Sequence, residues 1–474
     1  MTTTDVGGWA PAPGSVARQT WPASARWAWW LLHRPALCLA LAALGAMTVT
    51  AGPTTAAVLI GVTAAVLTAW WLVHPASFHP TAGRVLLGVW RSAWAYGVRW
   101  RTAMMLSGLG GRFDGGEFLP RVVRVRAGRY FDRVRVRIVA GQQPEDWARR
   151  ADALAHAFGA RSCQVTALAG RPGCVELAIG RRDPLAAVVP ALQVPDDVDL
   201  DGVPVGITEA GDPWRLSVAG GAHTLLAGCT GSGKGSVVWS LLRGLAPAIR
   251  DGWVQVWGAD PKGGMELAPG AGLFTRLAWE PDEMVTLLED AADLMLARSD
   301  DLRGRARVHV PTPDAPAVVV VVDELAKLTA YEPDPALRRR ATQALSVLLT
   351  QGRAPAVTVV AALQDSRKDV VGFRSLFPVR VALRLVEADE TRQVLGPGAH
   401  DRGAVCERIP AALPGVGYVL LDGQHTPTRV RAAWVSDDDI ATMAVDYAAP
   451  SSGDAGQVVD LPPVEDGDDE AGAA

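Results

Sequence analysis

The sequence predicts an α/β chain: a P-loop nucleotide-binding domain with a parallel sheet, preceded by a two-helix transmembrane hairpin and a small α+β module. Three observations carry that expectation. From about Asp201 to Met443, short β-branched runs alternate with helical segments, the pattern of a parallel sheet with crossover helices. One junction between strand and helix is the glycine-rich run Gly228–Ser236. Pro35 to Gly83 contains no Asp, Glu, Lys or Arg.

A chain of 474 residues is too long for one ordinary domain. The expected divisions are a cytoplasmic segment (1–34), the hairpin (35–73), an amphipathic juxtamembrane segment (74–118), the α+β module (119–190), the motor (191–447) and an acidic, disordered tail (448–474). The net charge of −4 hides a strong asymmetry. Between Arg84 and Arg182 there are 18 Arg and no Lys against seven Asp or Glu, whereas Ala449–Ala474 holds seven acids and no base. Lys occurs only at 234, 262, 327 and 368, so Arg dominates throughout.

Within the uncharged run, Pro35–Ala51 and Thr54–Val73 are apolar stretches of 17 and 20 residues, split by Gly52-Pro53. Each meets the length needed to span a bilayer, about 17–25 residues. Trp27, Trp29, Trp30, Trp70 and Trp71 sit at the edges of the pair, as interfacial anchors do. Arg18, Arg26 and Arg34 precede it and Arg84, Arg91, Arg99 and Arg101 follow, which places both ends and the motor in the cytoplasm. A cleaved signal peptide fits poorly, because the first run starts late and a second follows at once. Val85–Leu109 then reads as an amphipathic helix at the membrane surface.

The module that follows is expected to be ββαββ. Val122–Ala127 and Arg133–Val139 alternate apolar residues with Arg, as half-buried strands do. Pro144–Phe158 reads as a helix with Glu145 and Asp146 in its first turn. Ser162–Ala167 and Cys174–Ile179 supply two further strands around a Gly-Arg-Pro-Gly turn. Five scattered Cys (38, 163, 174, 229, 406) lack the close pairs of a thiolate metal site and imply reduced thiols.

In the motor, strands are expected at Thr224–Ala227, Val254–Gly258, Val318–Val322, Thr358–Ala362 and Val379–Leu385. Gly228-Cys229-Thr230-Gly231-Ser232-Gly233-Lys234 follows the first strand and runs into a helix, so consecutive amides can close around a phosphate at the helix's positive end. Lys234 would reach the β- and γ-phosphates of ATP. The next position, where a hydroxyl should hold Mg²⁺, is Gly235; either Ser236 reaches the metal by a local shift, or water replaces the hydroxyl. Six apolar residues, Ala317–Val322, form a strand buried on both faces, and Asp323 and Glu324 emerge at its end. Asp323 would orient the Mg²⁺ shell and Glu324 would polarise the attacking water. Gln364, ending another strand, is placed to sense the γ-phosphate.

With these elements in order, the sequence resembles the FtsK/SpoIIIE family of DNA-pumping motors. The resemblance extends to Asp260-Pro261-Lys262, Met265-Glu266-Leu267, Val322-Asp323-Glu324-Leu325, Gly352-Arg353-Ala354, Ala362-Leu363-Gln364, Pro378-Val379-Arg380-Val381 and Asp389–Gly396. Anchor, small module and single motor look most like the transfer proteins of actinomycete conjugative elements. The resemblance implies a RecA-like fold, a homo-hexameric ring around double-stranded DNA, and an arginine supplied in trans to each ATP. Arg380 and Arg392 are the first candidates for it, Arg353 and Arg374 the second. Family members often recognise DNA through a C-terminal winged helix, for which Trp434–Tyr447 is too short. Sequence choice would then come from a recognition or transfer-accessory protein, or binding would rest on phosphates alone.

Other functions remain open at this point. Protein-export ATPases share this lineage but carry several ATPase modules in tandem, against one phosphate loop here. A single-strand coupling protein for conjugation would also be membrane-anchored. An inert scaffold would not need Lys234, Asp323 and Glu324 together.

Overall fold

The computed structural model describes residues 48–450 apart from 51, 114–115, 129, 169, 353 and 365–372. Two compact units divide at Asp183/Pro184. In the first, helix α1 (Pro53–Val73) starts at a proline, which suits the first helical turn because its missing N–H has no acceptor there. Among the described residues it is the one helix long and apolar enough to cross a membrane, and within it only Ala56 is buried. The described residues thus support one candidate span of the expected two-helix, multi-pass anchor. Its first half, Pro35–Ala51, lies outside the described residues except for helical 48–50. The acidic tail from 451 onward lies outside them too.

The amphipathic stretch forms α2 (Arg84–Ala93) and α3 (Trp100–Leu106), joined by a widened turn at Trp94–Val98. A short hairpin follows, β1 (Gly111–Phe113) with β2 (Gly116–Phe118). Strands β3 (Arg121–Ala127), β4 (Phe131–Arg137), β5 (Ser162–Ala167) and β6 (Cys174–Gly180) make an antiparallel sheet in the order β3-β4-β6-β5. The helix expected over Pro144–Phe158 is two: α4 (Pro144–Ala148) and α5 (Ala151–Ala157), interrupted at Arg149–Arg150. Alternation along the strands sends Val134, Val136, Val175, Leu177 and Ile179 to one face, where they pack against Trp100, Met104, Trp147, Leu154 and Phe158. Buried beside this core, Asp132 accepts from Arg91 (2.6 Å), Arg181 (2.9 Å) and the Tyr96 hydroxyl (2.8 Å). Two guanidiniums and a phenol thus tie the juxtamembrane helix to the sheet.

The second unit is one large sheet with helices on both faces. Its parallel part runs β12 (Arg276–Ala278), β11 (Val254–Ala259), β13 (Ala317–Val322), β14 (Val357–Leu363), β10 (Thr224–Ala227), β15 (Val379–Ala382). The order then continues β16 (Val416–Leu420), β17 (Thr428–Trp434), β8 (Val203–Thr208), β9 (Pro213–Leu216), every pairing here antiparallel, while β7 (Val189–Pro190) pairs parallel with β17. The sheet is mixed, which corrects the wholly parallel expectation. The physical reason is loop length: β16 and β17 are joined by a short turn, which permits antiparallel pairing, whereas a parallel pair needs a crossover of a dozen residues or more.

Along β13 the side chains alternate between two cores. Val318, Val320 and Val322 pack with α7 (Pro281–Leu302) and α9 (Pro335–Gln351); Ala317, Val319 and Val321 pack on the side of α6 (Lys234–Arg250) and α11 (Asp437–Asp446). A strand covered on both faces can be apolar throughout, and this one is. Its carboxyl end, which leads into the short helix α8 (Leu325–Thr329), delivers with those of β10 and β14 the polar residues discussed next.

Candidate nucleotide site

The phosphate loop begins where β10 stops. Its first two amides are already used, Gly228 N–H by Leu363 O (3.0 Å) and Cys229 N–H by Arg384 O (3.0 Å), so the loop's base is locked to the strands on either side. The donors beyond belong to the loop and to the first turn of α6, which has no helical acceptors to offer. Gly233, at the cap of α6, has φ +95°, and a Cβ there would stand 2.3 Å from Gly415 N. Both the left-handed backbone and the close approach require glycine. Gly415 in turn donates to Ser232 O (2.8 Å), bracing the loop from the β15–β16 connection. Lys234, buried, donates to the loop's own carbonyls, Gly228 O (2.7 Å) and Cys229 O (3.4 Å). Burial pulls its pKa below the ordinary value, Glu324 and Asp323 opposing. The Ser232 hydroxyl, buried within the loop, has no hydrogen-bond partner.

Acids gather opposite. Asp323 Oδ2 accepts from Lys262 Nζ at 2.6 Å. Burial raises its pKa, and the Lys262 ammonium counters part of that rise. Lys262 is itself held in place from below. The fully buried Asp260 carboxylate accepts the amides of Lys262 (3.0 Å), Glu266 (2.8 Å) and Leu267 (3.0 Å), curling the chain after β11 so that the lysine faces β13. Glu324 receives the Gln364 amide on both oxygens (3.2 and 3.1 Å). Burial raises its pKa, the Gln364 amide and then Lys234 opposing. The Gln364 side chain accepts from Thr230 Oγ1 (3.3 Å), closing a chain from loop to sensor to base.

This donor set fits a nucleoside triphosphate. The glycine cradle closes on backbone, a buried ammonium is hydrogen-bonded to loop carbonyls, and a buried hydroxyl is unpartnered. A magnesium ion is served less fully. Position 235 lacks the hydroxyl, and Ser236 is turned from it by about 100° around the helix axis. Among the described residues no group of three or more His, Cys, Asp or Glu could hold a metal.

Two family models match in tandem. The actinomycete conjugal transfer protein N-terminal domain matches residues 69–181, and the FtsK/SpoIIIE family matches residues 195–314, a stretch that includes the phosphate loop and Asp260. Over residues 195–314 the chain is similar to the FtsK/SpoIIIE family, and it is an ATPase. Transfer protein TraSA of Streptomyces ambofaciens is 29% identical over 362 residues, covering 70% of this chain and 84% of that one. DNA translocase FtsK of Mycobacterium tuberculosis is 29% identical over 255 residues, 48% of this chain and 29% of that one. This chain thus corresponds to less than a third of that translocase's length. The pCW3 conjugation coupling protein TcpA, solved with ATPγS, superposes with a TM-score of 0.47 at 19% identity, covering 73% of this chain and 97% of that one.

Of the residues singled out from the sequence, Lys234, Asp323, Glu324 and Gln364 converge with the loop. Ser236 lies in the first turn of α6, part-buried. The arginines stand apart from them. Arg380 is half-buried on β15, its Nε without a partner, with desolvation first and Arg374 second lowering its pKa. Arg392 pairs with Asp389 on α10 (Ala388–Leu395), while Arg374 donates to Arg392 O (3.3 Å) and Gln393 O (2.7 Å). Arg353 lies outside the described residues. Two site residues carry roles that the sequence reading did not assign. Lys262 was legible only as part of a family segment, and its ion pair with Asp323 spans 61 residues. Arg384 donates to Thr230 O (3.0 Å) just past the end of β15, where the expected strand continued to Leu385.

Proposed function

We propose that this chain is a membrane-anchored, ATP-driven translocase that moves double-stranded DNA in conjugal transfer, working as a homo-hexamer. What carries the reading is the site itself, in which Lys234, Asp323, Glu324 and Gln364 meet, coupled with the tandem of a conjugal-transfer N-terminal domain and an FtsK/SpoIIIE motor. The names of its relatives, a transfer protein and a DNA translocase, point the same way.

In this reading the loop amides beyond Cys229 and those of the first turn of α6 cradle the phosphates, and Lys234 leaves the loop carbonyls for the triphosphate. Asp323 and Ser236 would hold Mg²⁺, which neutralises phosphate charge when bound. Glu324, kept short of full acidity by burial, takes the proton of the attacking water. Gln364 touches both Thr230 and Glu324, so loss of the terminal phosphate near the loop is felt at the base and at the chain that follows β14. Arg380 and Arg392 are the arginines offered to a neighbouring subunit's nucleotide. The candidate span α1 tethers the motor to the membrane.

The test uses the full chain in detergent. ATP turnover is measured alone, with single-stranded DNA and with duplex DNA; stimulation by duplex supports the reading, and Lys234→Ala should abolish turnover. Equal rates in all three conditions would reject it.

A further inference from the structure

The face of the four-stranded sheet turned away from the Trp147 core carries a ladder of arginines. In register, Arg121 stands opposite Arg137, Arg124 opposite Arg135, and Arg126 opposite Arg133. Like charges directly opposite destabilise a hairpin, yet here three such pairs follow one another. The neighbouring positions of β6 on this face are Cys174, Glu176 and Ala178, so one acid is in register, and it sits 3.7 Å from Arg135. Arg124, Arg126, Arg133 and Arg137 are exposed. A single acid in register does not balance the charge of the stack, and folding alone would favour alternating signs.

We propose that this arginine face is a docking surface for the phosphate backbone of duplex DNA, separate from the nucleotide site. Along β4 the arginines recur every second residue, about 6.6–6.8 Å apart. Successive phosphates of one duplex strand rise about 3.4 Å along the axis while also winding around it, which sets them about twice that far apart in space, so the ladder's spacing matches neighbouring phosphates. The guanidinium fork suits phosphate oxygens. Occupancy by duplex rather than by a lipid surface follows from composition: among the described residues of this sheet Val123, at the bulge of β3, is the one exposed large apolar side chain beside the arginines, too little to anchor in a bilayer. The contacts would be blind to base sequence. The choice of DNA as the polyanion rests on the proposed translocase function; the ladder does not.

The test compares the full chain in detergent with the triple variant Arg124→Gln, Arg133→Gln, Arg137→Gln by titrating labelled duplex at several salt concentrations. Each lost phosphate contact removes about 0.9 from the slope of log affinity against log salt, so the triple variant should be shallower by about 2.7. Arg124→Lys, Arg133→Lys, Arg137→Lys should keep the slope, as should Arg149→Gln, Arg303→Gln, Arg408→Gln, which removes equal charge from exposed sites elsewhere. An unchanged slope in the first variant overturns the proposal, as does an equal loss in the last. Titration with short-chain phosphatidylglycerol forms a separate arm. Loss of that binding with the duplex slope intact would assign the face to membrane lipid and likewise overturn the proposal. Duplex stimulation of ATP turnover, measured on the same samples, reports on the motor independently: its absence with an altered slope would reject the translocase and leave the face standing.

Discussion

Replacing Lys262 by Met removes the ammonium that Asp323 faces at 2.6 Å and leaves a buried carboxylate alone. At an effective dielectric near 20, two unit charges about 4 Å apart attract by about 4 kcal/mol, part of which returns as Lys262, a quarter exposed, loses its desolvation cost. A net loss of about 2–3 kcal/mol at pH 8 is expected. The carboxylate can escape by taking a proton, at about 1.4 kcal/mol for each pH unit above about 3.9. That sets a ceiling of about 1.5 kcal/mol on the loss at pH 5. The direction agrees with linkage: burial raises the folded pKa of Asp323, and removing Lys262 raises it further, so stability is retained at low pH and lost as pH climbs through the folded value. Hydrogen exchange of the β11 and β13 amides reads the local opening free energy without assuming that the two units unfold together. Adding Asp323→Asn to Lys262→Met should restore most of the protection, because a neutral amide needs no counter-ion. A destabilisation equal at pH 5 and pH 8, or no recovery in the double variant, would refute the reasoning.

Gly235→Ser should be accommodated, since a Cβ there meets nothing nearer than Trp239 Cδ1 at 3.8 Å, and it should lower the Mg²⁺ concentration for half-maximal ATP turnover; no change would mean that position 235 does not face the metal. Arg384→Met removes one hydrogen bond from the loop backbone at Thr230 and should weaken nucleotide affinity about fivefold, corresponding to about 1 kcal/mol, in a fluorescent-nucleotide titration. Asp132→Asn leaves Arg91 and Arg181 buried against a neutral group, and should cost the first unit about 3 kcal/mol in exchange protection of β4 and β6 while basal ATP turnover holds.

How much of this was legible in the sequence depended on whether the signal was local. The run Ala317–Val322 declares a doubly covered strand because no exposed position interrupts it, and β13 spans those six residues. The glycines of the loop likewise announce left-handed backbone. The antiparallel half of the sheet was hidden, since β16, β17 and β8 are short and their order is set by pairings across more than two hundred residues. The break at Arg149–Arg150 escaped because apolar spacing continues across it, although Arg150 turns to the carbonyl of Ser107. The arginine ladder was visible as alternation, but only the register, with its shift between Val122 and Arg124, shows that like stands opposite like.

The position of β10 has a consequence for how the protein is made. Its two neighbours, β14 and β15, lie more than 120 residues further along the chain, and Gly415, which braces the loop, comes later still. While the ribosome is still extending the chain, the phosphate loop has been synthesised but has no walls. The catalytic centre can close only when most of the second unit has emerged, so a chain cut short before Gly415 should not consume ATP.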